Sequence, residues 1–299
     1  MKKAMIIANP TSGKEQAEDY LRKTEEVITS LFDTIEVRKT EKAGDAAEFA
    51  LQACEEKFDS VFCLGGDGTV NEVVNGLAGQ VHRPKLGIVP LGTVNDFARA
   101  LEISLDPFKA IDIFGTQSVR AVDIGKINND YFANVLAVGE VAEATFQVSI
   151  EQKTKLGSLA YFLEGMKAFL RKEPLQLIVQ HDEGSWKGEA FLLIAALTNS
   201  VGGFESLAPD AHVNDGKFHV FIVKDLSITK TAFMIPKLIS GDLKESSEVD
   251  YIRTRTLAVS AEGEHAVNID GEEGKTLPFE AKVLPSHLEV YVQAAKEDY

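Results

Sequence analysis

The chain has 299 residues, a net charge of −15 and a pI near 4.9, with 44% hydrophobic and 26% charged residues. That composition builds folded cores, and the length suits about two domains. Acidity of this size excludes a general nucleic-acid coat and argues against strong electrostatic docking on anionic membranes. A ligand phosphate would need backbone N–H groups, a few placed cations or a metal. Two cysteines, Cys54 and Cys63, make neither a disulfide scaffold nor a thiolate zinc site. The apolar run after Lys2-Lys3 stops at Asn9-Pro10, too soon for a signal segment. No apolar run reaches the ~18 residues of a membrane span, so the chain reads as cytoplasmic.

The first 125 or so residues alternate strand and helix. Ala4 to Ala8 is a buried-strand run, and residues 15–31 carry apolar side chains at helical spacing. Ile35 to Lys39 alternates like a strand, and Gly44-Asp45 opens a helix. Ser60 to Leu64 is a strand ending at Gly65-Gly66, followed by a helix from Thr69 to Leu77. Leu86 to Val89 is a strand ending at Pro90-Leu91-Gly92, and Asn95 to Leu101 is a short helix. This rhythm argues for a parallel sheet with helices on its faces, whose ligands bind beyond the carboxyl ends of the strands. The loops at 9–13, 65–69 and 90–95 lie at that end.

From about residue 120 the pattern changes to strands separated by turn residues: 118–127, 130–138, 175–181, 186–198, 217–223, 251–261 and 288–293. Asn128-Asn129-Asp130 and Asp182-Glu183-Gly184-Ser185 read as hairpin turns. Helical stretches interrupt at about 156–171 and 228–240. The second half therefore reads as an antiparallel β-sandwich. The helix at 156–171 either packs on the sandwich or faces lipid.

Three clusters carry chemistry. Asn9-Pro10-Thr11-Ser12-Gly13-Lys14 is a strand-to-helix turn; Ala8 stands where a P-loop needs glycine, so it is either a plain helix cap or a phosphate cradle. Gly65-Gly66-Asp67-Gly68-Thr69 spends three glycines on one connection, which lets backbone approach a ligand and sets Asp67 at the mouth. Pro90-Leu91-Gly92-Thr93-Val94-Asn95 shares that design.

Together these loops resemble the diacylglycerol kinase catalytic-domain superfamily, and in particular its soluble bacterial lipid-kinase branch. The motifs are Asn9-Pro10-x-Ser12-Gly13, Gly65-Gly66-Asp67-Gly68-Thr69 with Asn71-Glu72, and Pro90-x-Gly92-Thr93-x-Asn95-Asp96-Phe97-Ala98-Arg99. Further along come Asp123-x-Gly125, Leu156-Gly157-x-Leu159-Ala160-Tyr161, Gly202-Gly203, Asn214-Asp215-Gly216 and Asp270-Gly271-Glu272. Gly139-Glu140 departs from the two glycines common among relatives.

The resemblance implies an ATP-binding α/β domain over 1–122, related to NAD kinases and phosphofructokinases. A β-sandwich acceptor domain would span 123–287, and the last strand, near 288–299, would return to the first domain. ATP would meet Asn9, Pro10, Thr11, Ser12, Gly13, Thr40, Gly66, Asp67, Gly68, Thr69, Val70, Asn71, Glu72 and Thr93. A structural Mg²⁺ would be held by the Asp215 carboxylate and the carbonyls of His212 and Lys217, with Asp123 acting through its waters. Asp215-Gly216 fits a metal-free type I′ turn equally well. Glu272 would be the general base, with Asp270 supporting it and Glu273 solvated; the alternative is a hairpin turn with exposed acids. The expected activity is Mg²⁺-dependent transfer of the ATP γ-phosphate to a lipid hydroxyl such as that of diacylglycerol, within phospholipid biosynthesis. The lipid would be met transiently at the inner face of a membrane, and a homodimer is the default assembly. The alternatives are an NAD kinase-like enzyme with a soluble acceptor and a nucleotide-binding regulator without turnover.

Overall fold

The computed structural model describes residues 1–13, 16–139, 174–203, 205, 207–224, 227, 230, 234, 236–238 and 240–294. The chain divides into two compact units, Met1–Ile124 with Pro285–Tyr299, and Gly125–Leu284. The expected helix at 156–171, Glu140 and the Glu273 side chain lie outside what is described.

In the first unit, strands β1 (Lys3–Ala8), β2 (Thr34–Lys39), β3 (Ser60–Gly65) and β4 (Lys85–Pro90) form a parallel sheet in the order β2-β1-β3-β4. Strands β1, β3 and β4 are buried almost throughout, which is why they read as continuous apolar runs and do not alternate. Helices α1 (Ala17–Ile28), α2 (Asp45–Glu55), α3 (Asp67–Ala78), α4 (Asp96–Ala100) and α5 (Pro107–Asp112) alternate with the strands and follow them. Helix α3 buries Val70, Val73, Val74 and Leu77 at helical spacing.

The unit is closed by the end of a late strand. Val290 pairs in parallel with Leu86, and Tyr291 stacks on Phe62 at 5.5 Å while bonding Ser60 at 2.9 Å. Around these rings the core is aromatic, with Phe114 4.7 Å from Phe62.

In the second unit, the strands are the end of β5 (Val119–Ile127), then β6 (Asp130–Phe132), β7 (Val135–Val138), β8 (Leu175–His181) and β9 (Gly184–Ala190). They continue with β10 (Leu192–Ala196), β11 (Phe218–Val223), β12 (Val249–Thr254), β13 (Thr256–Ala261), β14 (Ala266–Ile269), β15 (Glu272–Thr276) and the start of β16 (Phe279–Tyr291). Among the described residues, one sheet runs β12-β11-β10-β7-β14-β15 and the other runs β16-β13-β8-β9, with all these neighbours antiparallel. Leu136, Val138, Leu193, Phe218 and Val220 of the first sheet meet Leu177, Val179, Leu257, Val259 and Phe279 of the second in one core. That is a β-sandwich. The outer face of the six-stranded sheet is covered too, because Phe221 and Val223 pack with Leu207, Met234, Leu238 and Leu243. The stretch at 228–240 is helical where described, and Met234 and Leu238 place it on the sandwich.

Two long strand-like runs turn out to be sandwich corners. The run 186–198 breaks at Phe191, whose N–H bonds Val223 O at 2.8 Å, and β9 and β10 belong to different sheets. The run 251–261 breaks at Arg255, whose N–H is taken by the Asp182 carboxylate at 2.7 Å, and β12 and β13 separate likewise. The Asn128-Asn129 and Asp182-Glu183 hairpins form where the turn residues placed them.

Candidate functional site

The carboxyl ends of β1, β3 and β4 carry the three motif loops, and hydrogen bonds stitch them together. Asn9 leaves β1 and donates from Nδ2 to Thr69 Oγ1 at 3.2 Å. Its Oδ1 accepts from the Thr11 N–H at 3.0 Å and hydroxyl at 2.8 Å, folding the 9–13 loop back on itself. Thr40, at the end of β2, donates its N–H to Ala8 O at 3.0 Å and so stands beside Asn9.

Asp67 joins the second loop to the third. Its two oxygens accept the Asn95 N–H at 2.8 Å and the Asp96 N–H at 2.9 Å. Burial raises its pKa above the usual carboxylate value, and these N–H bonds offset the rise only in part. The two loops nearly touch: a Cβ added to Gly66 would lie 3.1 Å from Gly92 Cα. Any side chain there would crowd the Gly92 backbone.

Asn95 closes the third loop and is a residue that sequence reasoning left without a role. It adopts the left-handed conformation, which asparagine tolerates. Its Oδ1 accepts the Gly92 N–H and its Nδ2 donates to Gly92 O, both at 2.9 Å. Arg99 braces the same loop by donating from Nε to Val94 O at 2.8 Å. Thr93 is thereby held exposed at the tip of a closed ring.

The remaining expected nucleotide residues divide by side-chain environment. Pro10, Ser12, Gly13 and Gly68 lie on or beside these loops and are at least partly accessible. Val70 is buried in the α3 packing, so only its backbone could meet a ligand. Asn71 sits one turn into α3, where its carbonyl and side-chain oxygen accept from Asn75 Nδ2. Glu72 points to helix α2, where its oxygens accept the N–H groups of Gly44 at 2.9 Å and Ala46 at 3.1 Å. That satisfies an N-terminus lacking a side-chain cap of its own. Asp123 is buried, with Oδ1 accepting the Ser286 N–H at 2.8 Å.

In the second unit, Asp270-Gly271 forms a two-residue hairpin between β14 and β15, with Ile269 opposite Glu272. Both turn residues have positive φ, 50° and 92°, the type I′ geometry for which Asp-Gly is suited. The Asp270 side chain is aimed at backbone: it accepts from the N–H groups of Ala133 at 2.7 Å, Asn134 at 2.9 Å and Val135 at 2.8 Å. Glu272 opens β15 with an exposed side chain. Behind the hairpin, Asn134 donates to Ser200 O at 2.7 Å and accepts from Thr198 Oγ1, all three residues being buried.

The 212–217 turn brings the expected metal residues together. The Asp215 N–H bonds His212 O at 3.1 Å, and Asp215 Oδ1 accepts the Lys217 N–H at 2.9 Å. Its Oδ2 faces His219 Nε2 at 2.7 Å, with Arg253 3.7 Å away. Burial pushes Asp215 up, but the His219 bond and charge, the Lys217 N–H and Arg253 outweigh it and hold the carboxyl below its usual value. Asp215 is therefore an anion at neutral pH.

Residues 3–127 match the diacylglycerol kinase catalytic domain, and residues 135–292 match the YegS C-terminal NAD kinase beta sandwich-like domain. A diacylglycerol kinase of Bacillus subtilis is 38% identical over 299 residues, spanning all of this chain and 99% of that one. A diacylglycerol kinase of Staphylococcus saprophyticus is 37% identical over 294 residues, covering 97% and 95% of the two chains. The crystal structure of a diacylglycerol kinase from Bacillus anthracis superposes with a TM-score of 0.83 at 27% identity, over 98% of this chain and 97% of that chain. Hydrogen-bonded loops at the strand ends, a sandwich carrying an acidic hairpin, and full-length likeness agree, and the chain belongs to the diacylglycerol kinase catalytic-domain family of ATP-dependent lipid kinases.

Proposed function

We propose that the chain transfers the γ-phosphoryl group of ATP to the free hydroxyl of diacylglycerol or a close relative, releasing ADP. The observation that carries this reading is the Asp67 bridge, which fixes the second and third motif loops against each other at the strand ends. Loops held this way present backbone N–H groups at a helix N-terminus, a suitable environment for a triphosphate in a chain of net charge −15. Asn9 to Gly13, Thr40, Gly66 to Glu72 and Thr93 would bind ATP, Val70 through its backbone alone and Glu72 by holding α2 in place. Glu272 would take the proton of the lipid hydroxyl as its oxygen bonds to phosphorus and the bond to the β-phosphate oxygen breaks. Asp270 would support it.

Mg²⁺ would sit at the 212–217 turn. Among the described residues, no group of three or more His, Cys, Asp or Glu side chains could hold a metal. The expected set needs only one carboxylate, and what supports it is that Asp215 is held below its usual pKa while its N–H bonds the His212 carbonyl within the turn. An all-oxygen set suits a hard cation that keeps several waters. Bound there, it would add positive charge to an acidic chain. Among the described residues no helix is long and apolar enough to cross a membrane, so the lipid would be met at a membrane surface, by a chain that assembles as a homodimer.

The test is ADP release with three acceptors: diacylglycerol in mixed micelles, NAD, and none. Turnover with diacylglycerol alone is expected. Glu272→Gln should lower kcat by about 10²–10⁴-fold with the melting temperature unchanged. Turnover with NAD and none with lipid would refute the acceptor assignment.

A further inference from the structure

Strand β11 puts Phe218, Val220 and Ile222 into the sandwich core, so His219, Phe221 and Val223 face the other way. His219 is wholly buried on that apolar face, at 0% exposure. An imidazole there costs free energy unless both nitrogens are bonded. Both are: Nε2 lies 2.7 Å from Asp215 Oδ2 and Nδ1 lies 2.5 Å from the Tyr251 hydroxyl. An ionised carboxylate only accepts, so Nε2 carries the proton that binds Asp215.

Register fixes the arrangement. His219 is opposite Arg253 and Phe221 is opposite Tyr251, so Tyr251 reaches His219 diagonally across the β11–β12 pair. The Tyr251 ring is held 5.0 Å from Phe221. The clamp acts on the only side chain in the expected cation set. Lys217 N–H fixes Oδ1 from within the turn, while the imidazole fixes Oδ2 from the sheet, so the carboxylate plane cannot rotate. A hydrophobic residue at 219 would fill the same space and leave Asp215 free to turn toward Arg253.

We propose that His219 and Tyr251 are positioning residues that orient the Asp215 carboxylate for a divalent cation. This rests on the cation reading of the 212–217 turn. Groups that hold a metal ligand in place are worth about 10–100-fold in metal affinity when removed.

The experiment measures Mg²⁺ binding to the full chain without nucleotide or lipid, by calorimetry and by the Mg²⁺-dependent rise in melting temperature. Asp215→Ala should abolish the wild-type response, assigning it to this turn. His219→Leu should weaken Mg²⁺ about 10–100-fold. His219→Gln carries an amide nitrogen near the position of Nε2 and should recover most of the affinity. Should His219→Leu fail to fold, Tyr251→Phe keeps a folded ring and removes only the hydroxyl; it should weaken Mg²⁺ by a smaller factor. Wild-type Mg²⁺ affinity in His219→Leu, or in Tyr251→Phe where that variant stands in, overturns the positioning role and leaves the cation site standing. A wild-type chain with no Mg²⁺ response overturns both.

Discussion

Replacing Asp270 by Asn separates holding the hairpin from doing chemistry. In the native turn one oxygen accepts the Asn134 and Val135 N–H groups and the other accepts that of Ala133. Asparagine keeps the left-handed conformation at φ 50°, so backbone strain is unchanged. Its oxygen can keep two of the three donors, now without charge, a loss of about 1 kcal/mol each. Its NH₂ then meets the Ala133 N–H, leaving a buried donor unpaired at about 1–3 kcal/mol. The sum is about 3–5 kcal/mol, a large share of an ordinary ~5–15 kcal/mol stability. At about 2–4 °C per kcal/mol, the melting temperature should fall by roughly 6–20 °C. Thermal unfolding at neutral pH checks this, with kcat measured well below the new midpoint. A fall under about 2 °C would refute the claim that Asp270 is bound into the fold.

Gly66→Val should abolish nucleotide binding, read with a fluorescent ATP analogue, because its Cβ alone would lie 3.1 Å from Gly92 Cα and force the two loops apart. Wild-type affinity would show that the loops do not need that contact. Asn95→Asp loses the Nδ2 donor to Gly92 and sets a second carboxylate beside Asp67, so KM for ATP should rise about tenfold while KM for lipid stays put. Equal shifts in both would mean general unfolding. Asp182 is held below the usual value of 3.8 by the Thr256 hydroxyl and the Arg255 N–H. The unfolded chain therefore takes up that proton at higher pH, and the stability Asp182 adds is present above about 3.8 and lost as pH falls through its folded value. In urea unfolding from about pH 5 downward, Asp182→Asn should show a shallower acid decline than wild type; parallel curves would refute the assignment.

Much of the first unit is legible because its central strands are buried on both faces and announce themselves as apolar runs between glycine and proline. The sandwich is legible in kind and less so in outline. At Phe191 and Arg255 the chain crosses between sheets without a turn residue, so composition gives no sign of the corner. Strand β16 spans 13 residues, yet only its last portion reads as strand, because Pro285 interrupts an alternation of Phe279, Ala281 and Val283 with Glu280 and Lys282. The glycines and acids of the loops are visible in the sequence, whereas Asn95 adopts a positive φ and His219 bonds a cross-strand neighbour. The motif contains Asn95 but not its backbone conformation, and no local pattern marks the partner of His219.

The acids at motif and turn positions share one structural habit. Asp67, Glu72, Asp182 and Asp270 stand at motif or turn positions, and each has both oxygens on backbone N–H groups of another segment. These bonds are charge-assisted and span 26 to 137 residues of sequence, so each closes a long loop that local structure cannot close. Part of the −15 charge is thus built into loop geometry, where a carboxylate does what a strand ladder does elsewhere. The two carboxylates of the acidic hairpin differ in their surroundings. Asp270 directs three acceptor contacts at the 133–135 backbone, whereas Glu272, two residues on, opens β15 with an exposed side chain. The loss of both by substitution should then be non-additive in kcat, because a hairpin loosened at Asp270 already misplaces the group that Glu272→Gln removes.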